Sequence, residues 1–247
     1  MLEKVALIIP AAGVGARLSR PQTAGRPERT RQPRKPWLLL GGRPILLRTL
    51  ERFAAIPSIT QRVLVVHPDD AAQVREDWPV ELAELKVTDI LPGGATRQES
   101  VSRGLQALRD DIAIVAVHDA VRPFVSTRAI EESIAKARES GGAVVAARMT
   151  ATVKRADARG RIVQTIPREN LWMAQTPQTF RREILLAAYD AAAREGVTAT
   201  DDSYLVERIG HAVMIVEEGP ANIKITTPDD LKLAETLLAG PAPPPGS

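Results

Sequence analysis

The chain has 247 residues, 44% hydrophobic and 26% charged, the balance of a globular protein with a buried core, and its length fits one α/β domain. A formal charge of +3 is too small for wholesale nucleic-acid binding, and no apolar run approaches the roughly twenty residues a membrane helix needs. The lack of cysteine excludes a disulfide framework, a thiolate zinc site and a cysteine nucleophile, in keeping with a cytoplasmic protein.

Five short runs lack polar alternation: Val5 to Ile9, Val63 to Val66, Ile112 to Val117, Ala143 to Ala147 and Ala212 to Val216. They predict strands covered on both faces. The opening run is read as the first strand, because Glu3 spoils a basic leader and the run breaks after Ile9 into proline and glycine. Helical spacing fills the intervals, with Leu46, Leu50, Phe53 and Ala54, then Val101, Leu105 and Leu108, then Ile130, Ile134 and Ala137. Strand alternating with helix predicts a mainly parallel sheet flanked by helices, with ligands beyond the carboxyl ends of the strands. A single domain over residues 1–239 is expected.

Three stretches break this rhythm. Residues 18–36 crowd Arg20, Arg26, Arg29, Arg31, Arg34 and Lys35 against Glu28, which predicts a mobile basic loop. Within residues 151–168, Thr152 to Arg155 and Gly160 to Ile166 flank a turn at Asp157 to Gly160, which predicts a protruding hairpin that needs a partner to cover it. The proline-rich tail from Gly240 is expected to be solvated.

Candidate chemistry gathers where the strands end. After the first strand, PAAGVGARL places Gly13 and Gly15 in a loop whose N–H groups can close on a phosphate, and Arg17 adds a fork of donors. A plain turn is the alternative. Lys35 can reach back to that loop or stand as a solvated charge; Pro44 opens the next helix. Gly93 and Gly94 bend the chain before Arg97 and Ser100, so backbone groups there could read a base edge, while Ser100 could equally be a helix cap.

Asp119 follows a buried strand, where an ionised carboxylate requires a partner. Magnesium would serve, since it takes one or two protein carboxylates and fills its shell with water and phosphate oxygens. An ion pair with Arg122 is the alternative. His118 is read as packing, because the histidines at 67, 118 and 211 show no ligand spacing. Lys224 is placed in a short strand before a helix with Thr227 as N-cap, Pro228 at its first position and Asp230 completing a capping box.

Eight segments in order, PAAGVGARL, RKPWLLLGGRPIL, GGATRQESV, VHDAVRPF, TATVKRA, RENLWMAQTPQTF, TDDSYLVE and NIKITTPDDL, resemble the 2-C-methyl-D-erythritol 4-phosphate cytidylyltransferase family from Val5 to Leu238. The resemblance implies a Rossmann-like nucleotidyltransferase fold with a dimerisation arm, CTP as co-substrate, a magnesium ion and a homodimer, with no nucleic-acid or membrane partner. By position, Arg17 and Lys35 match transition-state stabilisers and Asp119 the metal ligand. Ala11, Ala12, Gly13, Gly15, Gly94 and Ser100 match nucleotide contacts. Thr152, Arg168, Thr176 and Lys224 match residues that hold the methylerythritol phosphate, with Arg168 and Thr176 serving the neighbouring subunit's site. The chain departs from the family at Arg34, Pro36 and Trp37, where Pro-Lys-Gln-Tyr is usual, and at Ala95, where some relatives carry aspartate.

A ribitol-phosphate cytidylyltransferase is the near alternative, and RENLWMAQTPQ favours the isoprenoid enzyme. A dehydrogenase is disfavoured by Leu18, where the dinucleotide fingerprint wants Gly or Ala. An RNA-binding module is disfavoured because the basic loop lacks interleaved aromatics.

Overall fold

A computed structural model describes residues 3–13 and 34–240. In chain order the elements are β1 (Lys4–Ala11), β2 (Leu39–Leu40), β3 (Arg43–Pro44), α1 (Ile45–Ala54), β4 (Ile59–Val66), α2 (Ala71–Asp77), α3 (Pro79–Glu84), β5 (Asp89–Pro92) and α4 (Arg97–Gln106). They continue as β6 (Ile112–Val117), α5 (Thr127–Ser140), β7 (Gly142–Arg148), β8 (Val153–Ala156), β9 (Ile162–Ile166), β10 (Trp172–Arg181), α6 (Arg182–Glu195), α7 (Asp202–Arg208), β11 (Met214–Glu217) and α8 (Pro228–Ala239). Seven strands form one sheet in the order β11-β7-β10-β6-β1-β4-β5. All neighbours are parallel except β10, which runs antiparallel between β6 and β7.

The lack of alternation in β1 has a direct cause. Val5, Leu7 and Ile9 enter a core layer with Leu46, Leu50 and Phe53 of α1 and Ile130, Ile134 and Ala137 of α5. Ala6 and Ile8 point the other way, into a layer with Val101 and Leu105 of α4, Leu185 of α6, and Leu205 and Val206 of α7. Side chains along a strand alternate between faces, so a strand covered on both is apolar throughout. Each fully buried Leu or Ile contributes roughly 1.5–3 kcal/mol. A third cluster, Leu38, Leu40, Ile45, Val121, Ile225 and Ala234, seats α8 and the segment before it against the mouth of the sheet.

Helix α4 lies close to β1, because a Cβ on Gly104 would stand 2.7 Å from Ile8 Cγ2. That approach brings the N-terminus of α4 to the carboxyl end of β1. Among the described residues the strands β8 and β9 form a separate hairpin and pair only with each other, with Asp157 to Gly160 at the turn. Among the described residues no helix is long and apolar enough to cross a membrane.

The five predicted strands are present, the last of them starting two residues later than its apolar run. Leu108 lies beyond the end of α4 yet remains buried. The expectation that Lys224 occupies a strand is incorrect. Residues 223–226 are joined to Val121 by the Ile225 N–H at 3.0 Å but form no ladder, because Thr226 and Thr227 turn their N–H groups to Asp230 at 2.8 Å. The capping box of Thr227 and Asp230 is formed, with Pro228 in the first turn of α8. The basic loop from 18 to 33 and the tail from 241 lie outside the described residues.

Candidate active site

Four chain segments, joined by Lys35 and Pro36 from before β2, meet beyond the carboxyl ends of β1, β4 and β6. The first continues β1 through Ala11, Ala12 and Gly13. The second is the glycine bend after β5, where the Gly93 N–H donates to Val66 O at 2.7 Å and a Cβ on Gly93 would stand 2.3 Å from that of Ala12. Only glycine fits so close a crossing of two loops. Thr96 caps α4 by accepting from the Glu99 N–H. Ser100 is buried, accepts from the Gly94 N–H at 3.2 Å and donates to Thr96 O at 2.9 Å. Ser100 therefore ties the bend to the helix, and the capping role belongs to Thr96. The Ala95 N–H donates to Glu99 Oε2 at 2.8 Å.

The third segment follows β6. Asp119 is almost fully buried, and its backbone N–H donates to Thr176 Oγ1 at 3.0 Å. The Thr176 hydroxyl in turn donates to His118 Nδ1 at 3.0 Å, and His118 Nε2 donates to Arg122 O at 3.0 Å. This assignment satisfies both ring nitrogens of a neutral imidazole. Burial lowers the His118 pKa to about 4, and its ring packs edge-on to Phe53 at 4.8 Å between centroids. His118 is thus a packing and orienting group, as its spacing implies. The fourth segment carries Lys224.

Three cations converge on the Asp119 carboxylate. Lys224 Nζ lies 3.0 Å and Arg122 Nε 3.1 Å from Oδ2, while Arg97 Nε stands 3.4 Å from Oδ1. Burial by itself would raise the Asp119 pKa. The fields of Lys224, Arg97 and Arg122 outweigh it and hold the carboxyl well below its usual range. The ion pair with Arg122 is therefore present, as one of three rather than as an exclusive partner.

These groups line a cleft of about 220 Å³ whose wall includes Ala11, Ala12, Gly13, Lys35, Gly94, Ser100, Asp119 and Lys224. A second depression shares Arg97, Asp119 and Lys224 and adds Arg122, Thr176, Gln178 and Asp201. Small residues and backbone line the first depression together with Lys35, Arg97, Lys224 and the Asp119 carboxylate. Such a surface suits a polyphosphate with a base or sugar held against the glycine loops.

The Asp119 carboxylate suits a divalent cation. It is ionised, it lines both depressions, and its Oδ1 makes a long contact of 3.4 Å to Arg97. Among the described residues no group of three His, Cys, Asp or Glu could hold a metal by itself. An ion here would take most of its ligands from phosphate and water, the usual habit of magnesium.

Of the residues expected from sequence, Arg17 and Gly15 lie outside the described residues. Thr176 lies beside Asp119 of its own chain, so its assignment to a neighbouring subunit's site is not supported by this geometry: its hydroxyl is engaged in cis. Thr152 and Arg168 line neither depression. Thr152 is exposed next to β8, and exposed Arg168 bonds the Thr150 carbonyl at the base of the hairpin. Sequence reasoning assigned no site role to Arg97. A signal existed, since a cation at the first position of a helix opposes the macrodipole and calls for a specific partner. Arg97 has two, Asp119 and Asp202.

Residues 5–240 match the family model described as IspD: 2-C-methyl-D-erythritol 4-phosphate cytidylyltransferase. A 2-C-methyl-D-erythritol 4-phosphate cytidylyltransferase from Solibacter usitatus is 42% identical over 238 residues, covering 95% of this chain and 96% of that protein. A bifunctional enzyme IspD/IspF from Desulforudis audaxviator is 46% identical over 218 residues, 88% of this chain, and the chain spans only 55% of that longer protein. The crystal structure of 2-C-methyl-D-erythritol 4-phosphate cytidylyltransferase from Thermus thermophilus superposes with a TM-score of 0.75 at 33% identity, covering 94% of this chain and 98% of that one. Fold, cleft and near full-length similarity agree, and the chain belongs to the 2-C-methyl-D-erythritol 4-phosphate cytidylyltransferase family.

Proposed function

We propose that the protein transfers the cytidylyl group of CTP to 2-C-methyl-D-erythritol 4-phosphate. The acceptor phosphate oxygen attacks the α-phosphorus in line, the bond to the β-phosphate bridge breaks, and 4-diphosphocytidyl-2-C-methyl-D-erythritol and pyrophosphate result. The acceptor is already an anion, so the reaction asks for alignment and charge neutralisation rather than a strong base. The observation that carries this reading is the convergence of Lys35, Asp119 and Lys224 on one cleft beside the glycine loops.

Lys35 and Arg17 hold the triphosphate and offset the charge that develops at the α-phosphorus. The loop of Ala11, Ala12, Gly13 and Gly15 cradles the phosphates, and Gly94 with Ser100 presents backbone groups to the cytosine and ribose. Asp119 would hold a magnesium ion, which when bound supplies charge neutralisation and a template for phosphate oxygens. Lys224 neutralises the acceptor phosphate, and Thr176 fixes the Asp119 backbone from behind. Thr152 and Arg168 reach an acceptor only if the hairpin delivers them to a second copy, so the working form is taken to be a homodimer joined through residues 151–168. The catalytic unit is residues 1–239 with that arm inserted, and the reaction is assigned to the cytoplasm.

The test is pyrophosphate release from each of CTP, UTP, ATP and GTP, combined with methylerythritol phosphate or ribitol 5-phosphate, with magnesium and with a chelator. Release with CTP and methylerythritol phosphate, abolished by the chelator, is expected. Folded protein that releases none, or that prefers ribitol phosphate, overturns the assignment.

A further inference from the structure

One acid that the proposed chemistry does not use lies directly behind the cleft. Asp202, the first residue of α7, has no solvent exposure. Its Oδ1 accepts from the Tyr189 hydroxyl of α6 at 2.5 Å, and its Oδ2 accepts from Arg97 Nη2 at 2.8 Å. Its backbone N–H and that of Ser203 both donate to Gln178 Oε1 at 2.9 Å, and Gln178 Nε2 donates to Asp201 Oδ2 at 2.9 Å. Side chains from α4 and α6 thus hold the Asp202 carboxylate, and one from β10 holds its backbone. A buried ion pair is weak evidence for stability, since apolar residues of similar volume often serve as well. Its place behind the cleft points to another role.

That role lies in how Arg97 is divided. Its guanidinium touches Asp202 at 2.8 Å and Asp119 at only 3.4 Å, and the side chain lines both depressions. An arginine facing one carboxylate without a competitor closes to a fork of short bonds near 2.7–2.9 Å. Asp202 draws Arg97 away from that arrangement. We infer that Asp202, supported by Tyr189, is a positioning residue that holds the Arg97 guanidinium between the two depressions, where it presents donors to the nucleotide phosphates without capturing the Asp119 carboxylate. The inference rests on the nucleotidyl-transfer reading above. Asp202 touches neither substrate nor reacting atoms and acts through Arg97.

A double-mutant cycle separates this from a purely structural role. Asp202→Asn keeps the shape and removes the charge, and Arg97→Met removes the guanidinium. For each single variant, the pair and the parent, kcat and KM for CTP, CTP binding by calorimetry with and without magnesium, and the melting temperature are measured. Asp202→Asn is expected to raise KM for CTP and weaken CTP binding by roughly tenfold, within the coupling range of contacting residues. In the Arg97→Met background the same change is expected to alter either quantity less than about twofold. Equal losses in both backgrounds, or a lowered melting temperature with unchanged CTP binding, overturn the inference. Tyr189→Phe keeps the acid and weakens its support, so it serves the same cycle if Asp202→Asn does not fold. Absence of turnover by the parent protein would defeat the assigned reaction alone, because the calorimetric cycle still reads the brace.

Discussion

The cleft and the hairpin of β8 and β9 are built on opposite terms. In the cleft the charged groups described above find partners within the chain: Asp119 has three cations, Arg97 has two acids, and both nitrogens of His118 are bonded. Among the described residues the hairpin strands pair only with each other, and Ile162 and Val163 stand 64% and 59% exposed. A two-stranded hairpin of this kind is marginal without a cover. The cleft is therefore shaped by the chain's own packing, whereas the arm's apolar side chains stay exposed among the described residues, and in the proposed homodimer a second copy covers them. Yet the arm carries or adjoins Thr152 and Arg168, two of the expected acceptor contacts, so catalysis would couple the two regions.

The sharpest contrast comes from paired substitutions. Asp119→Asn should lower kcat/KM by about 10²–10³, the scale of losing one preorganised electrostatic contact in a transition state. It should also lower the melting temperature, because Lys224, Arg97 and Arg122 lose their shared counter-charge. Arg168→Ala should cost activity without lowering the melting temperature, since that side chain is exposed at the base of the arm. Steady-state pyrophosphate release and scanning calorimetry on both variants check this. A large loss of stability for Arg168→Ala would break the distinction between the regions.

Next in size is Gly104→Val. A side chain there meets Ile8 Cγ2, so α4 must retreat from β1. Overpacking of this kind typically costs about 1–3 kcal/mol, read from urea unfolding. Because Arg97 and Ser100 stand at the other end of α4, KM for CTP should rise as well. An unchanged KM beside a lowered stability would show that the cleft tolerates movement of the helix that frames it.

The sheet was legible because its strands are covered on both faces, as Val5 to Ile9 and Ile112 to Val117 are, and such strands advertise themselves by lacking alternation. β10 was not, because Trp172–Arg181 reads as WMAQTPQTFR, with polar Gln175, Thr176, Gln178 and Thr179 buried by specific hydrogen bonds and contacts that no periodicity encodes. In the site, positions tied to a turn were readable: Gly93 and Gly94 at a bend, Asp119 past a strand end, Thr227 at a cap. Arg97 and Asp202 were not assigned. Their pairing joins residues 105 apart in sequence that the fold brings together, and spacing carries no trace of it.

A smaller effect tests the mount of Lys224. Asp230 accepts from the Thr226 and Thr227 N–H groups and the Thr226 hydroxyl, each at 2.8 Å. Burial opposes its ionised form, but these bonds prevail and leave its pKa below the ordinary value. A lowered folded-state pKa means the cap contributes above about pH 4, where the unfolded carboxyl is ionised, and fades as pH falls through the lower folded value. Asp230→Asn should therefore cost about 1 kcal/mol at pH 7 and progressively less in acid. Unfolding followed from pH 7 to pH 3 measures the convergence of the two curves.

The least change in stability is expected from the arm. Ile162→Ser combined with Val163→Ser removes apolar surface that the chain leaves exposed, so unfolding of the core should shift by no more than about 0.5 kcal/mol, as for surface positions generally. The mass by light scattering should fall from two copies to one, since in the proposed dimer these exposed apolar side chains, one on each face of the arm, are what a second chain would cover. Activity should fall with it and CTP binding should persist if, as proposed, one chain supplies the residues around CTP and Thr152 and Arg168 serve the acceptor of the other. Loss of CTP binding in this variant would mean that the arm shapes the nucleotide cleft too. A mass that stays at one copy before and after would leave the acceptor to be held by Lys224 and its neighbours alone.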